Sequence, residues 1–243
     1  PTIGFLSGTI ATRISYNMWY GVIDVAQKHD FNVISLLPRD LDSPIGFEAQ
    51  ANALYNLISA DRLDGLLVWT SPIINKGGPD GIKRILDPCR SIPIVAIQPG
   101  APEDIPRVVL DSYGSMQAAV AHLIKMHGLR RIAYIRGPDE THQGARERYQ
   151  AYMDILAEHD LPFDPTLVSP PTKGRWGEDV GEEAVALLCD ERQADFDAIV
   201  GTNDSFAKGA ITALQAREIN VPGQVAVVGI DDEDFSSYLT PPL

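Results

Sequence analysis

The stretch FDAIVGTNDSFAKGAITALQAREINVPGQVAVVGIDDED, residues 196–234, decides the fold. Ala198–Val200 is a short apolar run that stops at Gly201, and Asn203-Asp204 stands where a helix would start. Asn and Asp cap helices because their side chains accept from the first free backbone N–H groups. Ala207, Ala210, Ile211 and Leu214 then recur at i, i+3, i+4 and i+7, one buried helical stripe. Val221-Pro222-Gly223 breaks that helix, Val225–Ile230 reads as a second buried strand, and Asp231-Asp232 stands at its carboxyl end. A strand, a helix and a second strand of this kind make a parallel unit, and such sheets place ligands beyond the carboxyl ends of their strands. On spacing alone, a helix cap and a solvated acidic turn explain these two polar clusters as well as a site does.

Working outward, the same rhythm fills the chain. Strands are expected at Thr2–Leu6, Phe31–Leu37, Gly65–Trp69, Pro93–Ile97, Val108–Leu110 and Arg131–Ile135. Helices are expected from Tyr16 to Lys28, at Ala49–Ile58, Ile82–Leu86, Met116–Ile124, Ala145–Glu158 and Gly181–Leu188. Pro38–Pro44, Thr70–Pro79 and Gly137–Gly144 read as loops. Tyr16, Trp19 and Tyr20 follow helical spacing, so they are expected mostly in the core. Alternating strands and helices give an α/β fold with parallel, doubly wound sheets. The 243 residues suffice for two lobes, 1–108 and 109–243, with a ligand cleft between them.

Composition narrows the function. A net charge of −13 argues against this domain gripping nucleic acid through its own surface. No apolar run approaches the ~18 residues of a membrane helix, and no basic-then-apolar leader opens the chain. Cys89 and Cys189 lie far apart in no motif, which fits free thiols in a reducing, cytoplasmic compartment. No nucleophile elbow, phosphate loop or His-Glu-x-x-His motif appears, so no catalytic residues and no cofactor are assigned. His122 and His127, five apart on one helix, are expected to splay, and no Cys or carboxylate completes a metal set there. A calcium loop at Asp231–Asp234 lacks the alternating ligand spacing.

What remains is polar or aromatic side chains at strand ends. Arg146 and Arg148 follow the loop after strand 131–135, where a guanidinium can hold a hydroxylated or carboxylate ligand, or simply face water. Trp176 lies in the turn Gly174-Arg175-Trp176-Gly177 and can cover a sugar or base face, or simply pack. Trp69 and Gln98 close first-lobe strands, and Ser7 follows the first of them.

These stretches resemble the effector-binding domain of the LacI/GalR regulators. The resemblance rests on HLIKMHGLRRIAYIRGP (122–138), ARERYQAY (145–152), DAIVGTNDSFAKGAITAL (197–214), VPGQVAVVGIDD (221–232) and the closing LTPPL (239–243), in that order. IGFLSG (3–8), YGVIDVAQKHDFNVI (20–34) and DGLLVW (64–69) match more loosely. It implies two periplasmic-binding-protein-like lobes of type I joined by crossover strands, and a small polar effector in the cleft. The family's ligand positions fall on Arg146, Trp176, Asn203 and Asp231; Ser7, Tyr16, Trp69 and Gln98 are the further ligand-binding candidates expected in the first lobe. It also implies a cytoplasmic homodimer that contacts DNA only through a headpiece outside this chain, and no membrane. A C-terminal strand and helix returning to the first lobe are expected beyond Leu243. Ile14-Ser15-Tyr16 replaces the family's paired aromatics, Gln98 an acidic strand end, and the loop before Arg146 is one residue longer. A nucleoside-like ligand therefore stays beside a sugar. The sensor input of a kinase or cyclase, and a transporter's solute-binding protein, are the rival readings.

Overall fold

Five strands, β1 (Thr2–Leu6), β2 (Asn32–Leu36), β3 (Gly65–Trp69), β4 (Ile94–Ile97) and β5 (Arg107–Val108), form one parallel sheet in the order β2-β1-β3-β4-β5. Three more, β6 (Ile132–Ile135), β7 (Ala198–Gly201) and β8 (Ala226–Val228), form a second parallel sheet in chain order. The structure is a computed structural model and describes residues 1–10, 12–39, 45–140 and 142–243, without the side chains of 74–79. Parts of two expected loops, at 40–44 and at 141, lie outside the described residues. The chain divides into two units, Pro1–Leu110 and Asp111–Leu243.

In the first unit β3 is the apolar run GLLVW, covered on both faces as parallel strands require. The core gathers Leu6, Val68, Ala96, Ile73, Ile82 and Leu86. Helix α1 (Arg13–Lys28) follows β1, with Thr12 and Ser15 forming a reciprocal capping box. The expectation that its aromatics are mostly core fails: Tyr16 is 46% and Tyr20 49% exposed. Of α1's side chains only Ser15 and Ala26 are buried, so helical spacing here marks an aromatic face rather than a core stripe. The edge of Tyr20 meets the rings of Tyr16 and Trp19, with centroids 4.4 and 5.2 Å away.

The expected helix at Ala49–Ile58 is a short α-helix, α2 (Gly46–Ala51), running into a tighter 3₁₀ stretch, Asn52–Leu57. Thr70–Pro79, expected as a loop, is the start of a full helix, α3 (Ser71–Leu86). Pro72 sits in its first turn, where a missing N–H costs nothing. Ile73, Ile82, Ile85 and Leu86 anchor it on the sheet, which outweighs the low propensity of its glycines.

The second unit is built from α4 (Ser112–His127), α5 (Gln143–Glu158), α6 (Glu178–Ala186) and α7 (Asp204–Gln215) around β6–β8. Helix α4 starts on Asp111, whose carboxylate accepts from the Gly114 N–H at 2.7 Å, and ends on Gly128 in the left-handed region. One face of the sheet packs against α6 and α7 through Ala184, Val185, Phe206, Ala210 and Leu214. The other packs against α4 and α5 through Met116, Val120, Tyr152 and Ile155. Strand β8 is shorter than the expected Val225–Ile230 and half-buried, since among the described residues it pairs on one side only. Among the described residues no helix is long and apolar enough to cross a membrane.

Candidate functional site

In the second unit the carboxyl ends of the strands carry a dense polar cluster. Asn203 directly follows the strand–turn Gly201-Thr202 and caps α7: its Oδ1 accepts from the Phe206 N–H at 2.9 Å. It is 8% exposed, so its capping duty already engages the oxygen and leaves the amide N–H groups free of that task. Asp204, also buried, accepts from the Glu233 N–H at 2.8 Å and the Ser236 hydroxyl at 2.9 Å. Its own N–H donates to the Ile230 carbonyl at 2.9 Å. Those bonds tie the segment after β8 to the start of α7. Asp231 sits on that segment with φ +129°, a conformation L side chains rarely adopt, so the tie holds strain at the residue of interest.

Arg148 meets it. One guanidinium nitrogen donates to the Thr202 carbonyl at 2.6 Å, and the other lies 3.4 Å from Asp231 Oδ1. The Arg148 side chain is 12% exposed and that of Asp231 26%, although the Asp231 backbone is open to water. Arg148 Nε is buried without a partner. Burial pushes the Asp231 carboxyl up to about 6, with Asp204 and Glu233 adding to it while Arg148 pulls the other way. A 3.4 Å pair with spare donors and acceptors is open to a third group that hydrogen-bonds both.

His142 begins α5, its Nδ1 accepting from the Ala145 N–H at 3.2 Å. Burial, then the charges of Arg148 and Arg146, push its imidazole down to about 4, so it stands neutral. The ring meets the Trp176 indole edge-on at 5.0 Å, and Trp176 stacks on buried Phe206 at 6.0 Å. Trp176 is thus half-buried and rigidly backed. Arg136 and Asp139 pair beside them, with the Arg136 guanidinium 4.3 Å over the Tyr149 ring.

Arg146 stands elsewhere: it is exposed and donates to the Asp139 carbonyl at 2.9 Å. Two residues along a helix are about 200° apart around it, so Arg146 and Arg148 cannot face the same way. The signal was in the spacing. Arg148 lies at i+3 from Ala145 and i−4 from Tyr152, both buried, and so shares the inward stripe of α5. Thr202, fully buried and bonded to Tyr134 and Ile135, carried no comparable signal.

In the first unit the strand order 2-1-3-4-5 reverses direction between β1 and β3, the switch point where open α/β sheets accept ligands. Ser7 follows β1, buried, donating to the Thr9 carbonyl at 2.6 Å. Trp69 ends β3 and is 8% exposed. Gln98 follows β4 with φ +72°, and its neighbour in space, Thr70, turns its hydroxyl to the carbonyls of Ile97 and Pro99. Tyr16 lies in the first turn of α1, its hydroxyl 2.6 Å from that of Tyr20.

Residues 120–243 match the family described as periplasmic binding protein-like domain. The chain belongs to that family. Its form is the LacI/GalR-type effector-binding domain. It is 38% identical over 125 residues to the HTH-type transcriptional regulator AscG of Escherichia coli K12, covering 51% of this chain and 35% of AscG. Against a solved sugar-binding LacI-family regulator from Escherichia coli complexed with phosphate, it superposes with a TM-score of 0.77 at 27% identity, over 100% of this chain and 82% of the other. Against the structure of a CelR–cellobiose complex the TM-score is 0.79 at 26% identity, over 100% and 71%. The chain spans between about a third and a half of the length of the curated relatives it matches first. The periplasmic-binding-protein-like domain thus covers both the strand-end cluster of the second unit and, through the solved structures, the switch-point sheet of the first.

Proposed function

We propose that this periplasmic-binding-protein-like domain is the effector sensor of a LacI-type transcriptional regulator, and that its effector is a sugar or a related hydroxyl-rich metabolite. The observation that carries the reading is the Arg148–Asp231 pair at 3.4 Å, mostly covered, with His142 feeling the Arg148 charge on one side and meeting the backed indole of Trp176 on the other. A carboxylate accepts two sugar hydroxyls, a guanidinium donates to them, and an aromatic face covers the C–H side of a pyranose. Arg148 and Asp231 bind the hydroxyls, Asn203 supplies its amide, Trp176 covers one face, and Arg146 contributes from the rim. Ser7, Tyr16, Trp69 and Gln98 are the first-unit residues proposed to contact the effector. Two lobes, proposed at 1–108 and 109–243, transmit effector binding to a DNA-binding segment outside this chain. The effector must bind one arrangement better than the other for any signal to pass. The reading includes a cytoplasmic homodimer, no membrane contact, and binding without turnover.

The relatives that support this are transcriptional regulators, and of the solved structures one is a cellobiose complex and another a sugar-binding regulator. Calorimetry with cellobiose and a panel of mono- and disaccharides, polyols and nucleosides tests it. Binding of one panel member, abolished or weakened at least tenfold by Asp231→Asn, is the expected result; a tenfold loss is ~1.4 kcal/mol, the scale of one charged hydrogen bond. A ligand whose affinity ignores both Asp231→Asn and Arg148→Ala places the pocket elsewhere.

A further inference from the structure

The end of α4 holds a pair of imidazoles that effector binding does not use. His122 and His127 lie five residues apart, about 140° around an ideal helix, and were expected to splay. They do not. Their Nε2 atoms are 3.1 Å apart and their ring centroids 4.9 Å, with the ring planes at 71°. Both side chains are on the surface. His127 is the last residue of α4, directly before the left-handed Gly128.

The geometry points to a bidentate site for a divalent transition-metal ion such as Zn²⁺, Ni²⁺ or Cu²⁺. Imidazole nitrogens bind such ions at about 2.0–2.1 Å. With the nitrogens 3.1 Å apart, an ion at that distance from both subtends an angle of about 100°, between octahedral and tetrahedral values. That same chelate sets the ring centroids about 4.8 Å apart, whereas two rings meeting head-on along one N–H···N line would stand at about 5.4 Å. The observed 4.9 Å is the converging arrangement. In the metal-free pair one ring donates Nε2–H to the other Nε2, and the ion takes the place of that hydrogen while the proton moves to Nδ1 of the same ring.

Two features favour a cation there. The carboxyl end of a helix carries partial negative charge from its free carbonyls. The chain as a whole carries −13. Among the described residues no third His, Cys, Asp or Glu joins the pair, so water or a donor from another molecule fills the other positions. The class of ligand is therefore a borderline, imidazole-preferring ion rather than Ca²⁺ or Mg²⁺, which need several oxygens. The site is remote from the effector cluster: β6 starts at Ile132, just after α4 ends, so the pair lies by the amino-terminal edge of the sheet and Arg148–Asp231 by the carboxyl edge.

The test uses the whole chain free of any affinity tag, with Ni²⁺ and Zn²⁺ as probes in equilibrium dialysis. One ion per chain is expected, with affinity at least tenfold weaker in His122→Gln and in His127→Gln and unchanged in His29→Gln. In the unmodified chain, Cu²⁺ is expected to broaden the ring resonances of His122 and His127 first among the five histidines. Stoichiometric uptake that survives both substitutions, no uptake at all, or broadening that begins at other histidines overturns the assignment. Effector affinity is unchanged by either substitution, so the result is separate from the fate of the proposed function.

Discussion

At the scale of single residues, α5 sorts its two arginines by helical phase. Arg148 faces inward with Tyr152 and meets Asp231, while Arg146 reaches a loop carbonyl at the rim. Arg148→Ala should weaken effector binding by about 1.5–3 kcal/mol, because it removes a charged donor and leaves the partly covered Asp231 carboxylate unpaired. Arg146→Ala should cost less than ~1 kcal/mol, as exposed charged contacts do. Titration of both variants by calorimetry checks the order, and a larger loss at Arg146 would reverse the assignment. Asp231 and His142 also make opposite contributions to stability over one pH window. The Asp231 carboxyl, ordinarily near 3.8, is raised to about 6, so the folded chain holds its proton more tightly and stability falls as pH rises between the two values. The His142 imidazole, ordinarily near 6.5, is lowered to about 4, so the folded chain resists protonation and stability falls as pH drops through that range. At ~1.4 kcal/mol per pH unit each is worth at most about 3 kcal/mol, less for the partly exposed Asp231, and they largely cancel. Asp231→Asn should expose the His142 slope, with added loss on acidification from pH 6.5 to 4. His142→Asn, which keeps a helix cap, should expose the Asp231 slope, with stability gained on the same acidification. Urea unfolding of parent and variants at pH 4.5, 5.5 and 6.5 reads the differences.

At the scale of elements, α6 and α7 pack so closely that two glycines are fixed by sterics. A Cβ on Gly181 would overlap the Phe206 carbonyl, and one on Gly209 would overlap the Glu178 carbonyl. Backbone cannot yield as a side chain tip can, so Gly181→Ala and Gly209→Ala should each cost at least ~2 kcal/mol, against a gain of up to ~1 kcal/mol for the same change in an open helix. Thermal melts of the two variants would show it, with Gly21→Ala, where a Cβ meets nothing, as the comparison. The same elements show what sequence can carry. The stripe Ala207, Ala210, Ile211, Leu214 and the cap Asn203 were legible because both follow from local spacing and one backbone hydrogen bond. The helix at 71–86 was not, because Gly77-Gly78-Pro79 reads as a loop and only burial of Ile73, Ile82 and Leu86 against the sheet overrides it. The aromatic face of α1 was misread for the complementary reason: periodicity says which residues share a side, and says nothing about what covers that side. The Arg148–Asp231 meeting joins residues 83 positions apart, a distance no local pattern spans, although the phase of Arg148 within α5 pointed inward.

At the scale of the molecule, the two units hold separate cores. The first centres on Leu6, Val68, Ile82 and Leu86, the second on the two sheet faces around Ile135, Phe206 and Tyr152. Units with their own cores unfold as their own cooperative blocks unless something couples them. Without effector, the calorimetric unfolding enthalpy of this chain should therefore exceed the van't Hoff enthalpy, the mark of more than one transition. A ligand that binds only the folded state stabilises it by about 2.7 kcal/mol at a hundredfold its Kd. Where that stabilisation appears depends on which residues hold the ligand. An effector gripped by Asp231 and Arg148 together with Ser7, Trp69 and Gln98 draws on both units, so saturation should raise both transitions and merge them toward one. An effector gripped by the second unit alone should raise one transition and leave the other in place. Scanning calorimetry with and without bound effector distinguishes these outcomes, and a first-unit transition that stays fixed would confine the pocket to the second-unit residues Arg148, Trp176 and Asp231 and remove Ser7, Tyr16, Trp69 and Gln98 from it.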